Sequence, residues 1–151
     1  MALSRRHVLA LAAGAAVVPA FQFLPGRALA APEEVGKLIA DFAGGKEPQS
    51  GKITLTAPEI AENGNTVPIS VEVESAREGD DMVEQVLILA DGNPSADVAT
   101  FAFTAMSGKA AATTRMRLAK TQNVIAVAKM ADGSVYMDRK EVKVTIGGCG
   151  G

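Results

Sequence analysis

Tryptophan is absent from this chain of 151 residues, and tyrosine, histidine and cysteine occur once each. Each scarcity removes a class of chemistry. The only histidine, His7, stands in an opening segment that has the marks of a removed leader. The rest of the chain can therefore assemble no Cys–His or Ser–His couple and no His-ligated metal or haem site. A single cysteine has no internal partner for a disulfide. Long apolar runs are missing too. The uncharged stretch from Val8 to Phe21 is rich in Ala and Gly and interrupted by Pro19, whereas a spanning helix needs about 20 strongly apolar residues.

That stretch instead completes a leader. Ser4-Arg5-Arg6-His7 supplies a positive start, Val8–Phe21 the apolar middle, and Ala28-Leu29-Ala30 small residues at the positions a signal peptidase reads. Residues 1–30 are expected to be a signal peptide cleaved after Ala30. The Arg5-Arg6 pair, followed by Val8-Leu9, resembles a twin-arginine export signal, with Val at the position where that pattern prefers Phe. A general secretory signal carrying two arginines is the alternative. Both place the mature protein outside the cytoplasm, in the periplasm, and no cysteine near the cleavage site invites lipid anchoring. Losing Arg5, Arg6 and Arg27 leaves twelve basic residues against seventeen acidic ones. That balance opposes nucleic acid as a partner, because phosphate binding needs clustered Lys and Arg.

The mature region has two periodicities. Val35, Leu38, Ile39 and Phe42 fall at i, i+3, i+4 and i+7, so residues Pro32 to Ala43 are read as one short helix. Pro32 suits its first turn, Glu33 and Glu34 favour the positive end of its dipole, and Gly44-Gly45 stops it. Beyond Gly51 the period becomes two. Ile53 and Leu55 alternate with threonines, and Val67, Ile69, Val71 and Val73 alternate with Ser70, Glu72 and Glu74. Further strands are expected at Val83–Ala90, Val98–Thr104, Ala112–Leu118, Val124–Met130 and Ser134–Ile146. Asp80-Asp81, Asp91-Gly92-Asn93-Pro94 and Ser107-Gly108 mark turns, and Asp132-Gly133 marks a two-residue hairpin. Seven strands at this spacing predict an all-β, immunoglobulin-like antiparallel sandwich preceded by one helix, a single domain over residues 31–146.

Several side chains invite functional readings that packing explains better. Arg115 and Arg117 share one face of a strand, as a sulfate clamp would, but two outward arginines on a sandwich fit a solvated face. Met106, Met116, Met130 and Met137 could suggest copper, yet they are scattered over different strands, as core and rim residues are. Glu59 and Glu62 could be paired carboxylates; a charged loop turning at Asn63-Gly64 accounts for them more simply.

The ending Gly147-Gly148-Cys149-Gly150-Gly151 is different. Glycine has the largest backbone entropy to lose, so four of them around a cysteine resist ordering. An exposed free thiol in an exported protein is a liability unless it is used. Three extended residues carry Cys149 about 10 Å beyond Ile146, and its flanking glycines present no side chains to a narrow channel. No Lys, Arg or His adjoins Cys149 to favour the thiolate, the reactive form, whose ordinary pKa is about 8.5. The segment reads as a passive, flexible carrier arm.

In these residues the chain resembles the SoxY family of sulfur carriers, which ends in this Gly-Gly-Cys-Gly-Gly signature. The likeness extends inward through Leu55–Gly64 and Arg117–Ala128 and covers nearly the whole length. The resemblance implies a carrier within the periplasmic thiosulfate-oxidising system, with Cys149 as the point of covalent attachment and Gly147, Gly148, Gly150 and Gly151 as the flexible arm. It implies a heterodimer with SoxZ, and transient contact with the haem enzyme SoxAX, the dimanganese hydrolase SoxB and, where present, a sulfane dehydrogenase. It implies no catalytic residue, metal or cofactor of the chain's own. The rival reading is a periplasmic adaptor or chaperone-like sandwich whose single cysteine forms an intermolecular disulfide; a labile sulfur adduct on a monomeric thiol would separate the two. A C-terminal thiocarboxylate carrier needs cytosolic adenylation, which an export signal contradicts.

If the twin-arginine route reads the leader, Arg5→Lys with Arg6→Lys traps the full-length precursor in the cytoplasm. Fractionation with immunoblotting checks this, and normal periplasmic accumulation of the double mutant would reassign the leader to the general route.

Overall fold

The computed structural model describes residues 32–145, apart from Arg77. Helix α1 spans Pro32–Ala43 with Glu33 and Glu34 in its first turn. It ends at the two glycines. Gly44 takes φ +62°, its amide donates to the Asp41 carbonyl (3.3 Å), and the Gly45 amide reaches back to Ala40 (2.9 Å). This pair of bonds satisfies carbonyls of the last turn, and the left-handed residue it needs favours glycine.

Eight strands complete the domain: β1 (Ile53–Thr56), β2 (Ile60–Ala61), β3 (Val67–Val73), β4 (Val83–Ala90), β5 (Asp97–Ala102), β6 (Ala111–Met116), β7 (Gln122–Met130) and β8 (Val135–Val144). They form a three-stranded sheet, β1-β3-β6, and a five-stranded sheet, β2-β8-β7-β4-β5. Ile53, Leu55, Val67, Ile69, Val71, Val73 and Met116 from the first sheet pack against Val86, Ile88, Ala90, Val124, Ala126 and Ala128 from the second. This is the expected sandwich, with its core between the two sheets.

Strands β4 and β7 each carry an unbroken apolar run, Val86–Ala90 and Val124–Ala128, because these stretches are covered on both faces. Alternate residues Leu87, Leu89, Ile125 and Val127 point away from the sandwich core and pack with Val35 and Ala43 of α1, flanked by Leu38, Ile39 and Phe42. The helix therefore caps the outer face of the larger sheet. By contrast, β3 keeps the buried–exposed alternation of a strand with one wet face.

Two local expectations are corrected. The β7–β8 hairpin has three loop residues, Ala131, Asp132 and Gly133, because Met130 donates to the Ser134 carbonyl (2.9 Å) and Gly133 to Met130 (2.9 Å). Gly133 takes φ +77°, the left-handed position of a three-residue loop. The stretch from Ala57 to Gly64, expected to be only a charged loop, contains β2, which pairs with β8 in parallel. Its two residues are too few to register as a periodicity. Strand ends also shift: β5 stops at Ala102, where Thr104 begins to cap a short 3₁₀ turn, Ala105–Ser107, and β6 stops at Met116.

Leu89 is fully buried between sheet and helix. Leu89→Ala should therefore lower the unfolding free energy by about 3 kcal/mol, measured as a shift of the denaturant midpoint. A loss below about 1 kcal/mol would mean that the helix leaves this face uncovered in solution.

Candidate functional site

The site is built where β8 delivers the chain to its C-terminal segment. Four hydrogen bonds hold the last described residues. Lys143 donates its amide to the Glu59 carbonyl (2.9 Å), and the Thr145 amide donates to Ala61 (3.1 Å). The Val144 amide, on the other side of the strand, donates to Thr121 Oγ1 (3.0 Å), and the Thr145 hydroxyl donates to the Glu62 carbonyl (3.2 Å). The root of the C-terminal segment is thus pinned at Thr145 by β2 and by the turn before β7. Parallel pairing with β2 is what brings Glu59 and Glu62 here. Their backbone carbonyls do the holding, and both side chains stay exposed.

Beneath the root lies a braced polar floor. Gln122, 5% exposed, is the buried polar residue among those described. Its Oε1 accepts from the Gly92 amide (2.7 Å), and its Nε2 donates to Asn93 Oδ1 (2.9 Å) and to the Lys120 carbonyl (3.1 Å). Asn93 completes the brace, donating to the Arg117 carbonyl (2.8 Å) and accepting from the Ala119 amide (3.0 Å). Alongside, Asp91 takes both the amide (2.8 Å) and the side-chain nitrogen (2.7 Å) of Asn123. Gly92 approaches so closely that a Cβ there would stand 2.8 Å from the Gln122 Cβ. The β4–β5 and β6–β7 turns are therefore locked to each other and to the first residues of β7, which pair with the end of β8.

Away from the root, toward the start of β8, one flank of the sandwich is closed by side-chain and backbone stitches. Asp138 of β8 accepts from the Leu55 amide of β1 (2.8 Å) across the sheets and from the Arg139 amide (2.8 Å). Gln49 bridges to the start of β8, donating to Val135 and accepting from Met137 (both 2.8 Å). Beside these stitches, a hydrogen bond to Asp81 raises the pKa of Lys52 above the ordinary lysine value, and the same ammonium lies 5.3 Å from the centre of the Tyr136 ring. That cluster is remote from the root.

The residues expected to carry function divide accordingly. Cys149 with Gly147, Gly148, Gly150 and Gly151, and the export pair Arg5 and Arg6, lie outside the described residues. Arg115 and Arg117 are exposed and line an open cleft with Asp97 and Val98 between the edge strands β5 and β6. Met116 and Met130 are core residues, Met137 packs beside the helix, and Met106 is 95% exposed. Among the described residues no three His, Cys, Asp or Glu side chains gather as a metal site, and no helix is long and apolar enough to cross a membrane. Sequence reasoning missed Thr121, Gln122 and Thr145. Thr121 and Gln122 lie inside the stretch that carries the resemblance, but their partners are far away in sequence.

Comparison with known proteins bears on the whole of this arrangement. The family model described as sulfur oxidation protein SoxY matches residues 39–149. The solved structure of the sulfur carrier protein SoxY from Chlorobium limicola f. thiosulfatophilum is 34% identical, covering 76% of this chain and 98% of that one with a TM-score of 0.62. A superoxide reductase (neelaredoxin) variant from Ignicoccus hospitalis matches at 18% identity and a TM-score of 0.56, over 76% of this chain and 89% of that one. One from Nanoarchaeum equitans matches at 14% identity and 0.52, over 63% and 99%. These reductases share the fold alone. No curated protein matches the chain.

Gln122→Ala would leave the Gly92 amide and the Asn93 side chain without their partner, a loss of about 2 kcal/mol in stability. Alkylation of Cys149 by a small reagent should proceed at the wild-type rate. Denaturant titration and a timed alkylation check both halves; an unchanged midpoint would show that water replaces the brace without loss.

Proposed function

The chain belongs to the SoxY family of sulfur oxidation proteins, and on that premise we propose that it is a periplasmic sulfur carrier that holds thiosulfate-derived intermediates covalently on Cys149. The observation that carries the reading is the reach of the family match, which runs through the sandwich and includes Cys149, the sole cysteine of the chain. The hydrogen-bonded root at Thr145 supports it as well. A thiol presented to several enzymes needs freedom at its own position and a fixed point a short distance behind it. Cys149 is the fourth residue beyond Thr145, a reach of at most about 14 Å.

In this reading the leader is removed after Ala30 and the domain pairs with SoxZ as a heterodimer. Loading joins the sulfane sulfur of thiosulfate to the Cys149 sulfur. The thiol loses its proton, an S–S bond forms, and two electrons pass to the haem enzyme SoxAX, leaving a cysteine S-thiosulfonate. Hydrolysis by SoxB then adds water across the bond to the terminal sulfone. Sulfate departs and a persulfide remains on Cys149, to be oxidised further by a sulfane dehydrogenase where one is present. The carrier contributes no base of its own, so deprotonation and activation fall to the partner enzymes. Its contribution is to keep the sulfur tethered and to deliver it at a high effective concentration.

Cys149→Ser should abolish thiosulfate-dependent mass addition to the protein while altering stability by less than about 0.5 kcal/mol, the range of a substitution away from core and network. Intact mass spectrometry of protein from thiosulfate-grown cells, before and after a reductant, reads the adduct. Mass addition that persists in the serine variant would sink the carrier reading, and a large fall in melting temperature would make the thiol structural.

A further inference from the structure

Two large apolar side chains are strongly exposed among the described residues: Met106, 95%, and Ile60, 58%. Their settings differ. Met106 sits on the 3₁₀ turn between β5 and β6. Ile60 is a residue of β2 and stands in register with Lys143, two residues before the pinned Thr145. The pinning itself asks nothing of this side chain, because Glu59, Ala61 and Glu62 hold the root through backbone carbonyls that any residue supplies. The inward neighbour, Ala61, is buried and serves the core. Folding therefore leaves the choice of isoleucine at position 60 unexplained.

The surroundings continue the apolar character. Thr56, Ala57, Pro58, Pro68, Ile69 and Ser70 line an open depression of about 290 Å³ that begins two residues upstream of Ile60. Exposed Glu59 and Glu62 flank the isoleucine. Single exposed hydrophobic residues are ordinary on protein surfaces; one beside a shallow apolar depression at the root of the carrier arm has a geometric consequence. Cys149 lies no more than about 14 Å from Thr145 when the chain is fully extended. An enzyme that encloses the Cys149 sulfur must bring the mouth of its active site within that distance of the root, onto the surface that Ile60 occupies.

We propose that Ile60, with the adjoining Ala57–Pro58 depression, is the docking surface for the mouth of the enzymes that process the cargo. The partner surface is an apolar collar edged by Lys or Arg side chains facing Glu59 and Glu62. This rests on the carrier reading and deepens it. An apolar residue buried at the centre of a small interface carries much of its affinity, and charges at the rim act mainly on the rate of encounter and its salt dependence.

The test is the affinity of the full mature chain, in its complex with SoxZ, for purified SoxB-type hydrolase from the same cells, measured by calorimetry for wild type, Ile60→Asp, Ile60→Ser and Met106→Asp. The two Ile60 variants should bind about tenfold more weakly or worse. Met106→Asp should bind as wild type, and alkylation of Cys149 should be equally fast in the Ile60 variants and wild type. Wild-type affinity in both Ile60 variants overturns the proposal. So does an equal loss in Met106→Asp, or a loss that accompanies a change in oligomeric mass, which would assign the surface to a second copy of the chain. Absence of hydrolase binding by the wild-type chain also overturns it. Failure of the carrier reading looks different: no sulfur adduct on Cys149, with hydrolase binding still sensitive to Ile60.

Discussion

The antiparallel pairing of β4 with β7 sets two unbroken apolar runs, Val86–Ala90 and Val124–Ala128, side by side at the centre of the larger sheet, and both of their faces have to be kept from water. The smaller sheet supplies one cover through Leu55, Ile69 and Val71. Helix α1 supplies the other through Val35 and Ala43, with Leu38, Ile39 and Phe42 at its margin. Area removed from water is the main favourable term in folding, and it sets the order of layers: helix, five strands, three strands. Strand β8, beside β7, inherits a fixed position and direction from this arrangement.

That inheritance is what the proposed carrier role requires. A thiol that is to be passed between enzymes needs a fixed place from which to be presented. Fixity at the end of a strand is hard to maintain because terminal residues fray. Here β8 is held at its last residues by β2 on one edge and by Thr121 on the other. The Gln122–Asn93–Gly92 brace keeps the turn that carries Thr121 in place. Rigid scaffold and glycine-flanked thiol meet at one residue, Thr145, and the reach of the sulfur is counted from there.

Sandwich, helix and family were legible because they rest on repeated signals. The four-residue stripe of α1, the alternation along β3 and the Gly-Gly-Cys-Gly-Gly ending each state their meaning within a short window of sequence. Val83–Ala90 was legible as a strand, although its continuous apolar character left open what lay on its second face. Hydropathy records burial but carries no information about the covering partner. The extra residue in the β7–β8 loop escaped for a related reason, since Asp-Gly serves loops of either length and the register of the flanking strands decides.

By itself, then, the sequence determined the fold class and the family, and it supplied the one cysteine on which the proposed carrier role rests. All of these come from composition and local order. Only the tertiary structure decided how that thiol is rooted. Glu59 and Ala61 meet β8 more than eighty residues further along the chain, and Gly92 meets Gln122 thirty residues on. The first pairings are made by backbone carbonyls and amides common to every residue, and the second by a glutamine side chain whose partner is a plain backbone amide, so no local pattern announces either. They exist because packing of the two sheets and the helix brings those groups within hydrogen-bonding distance.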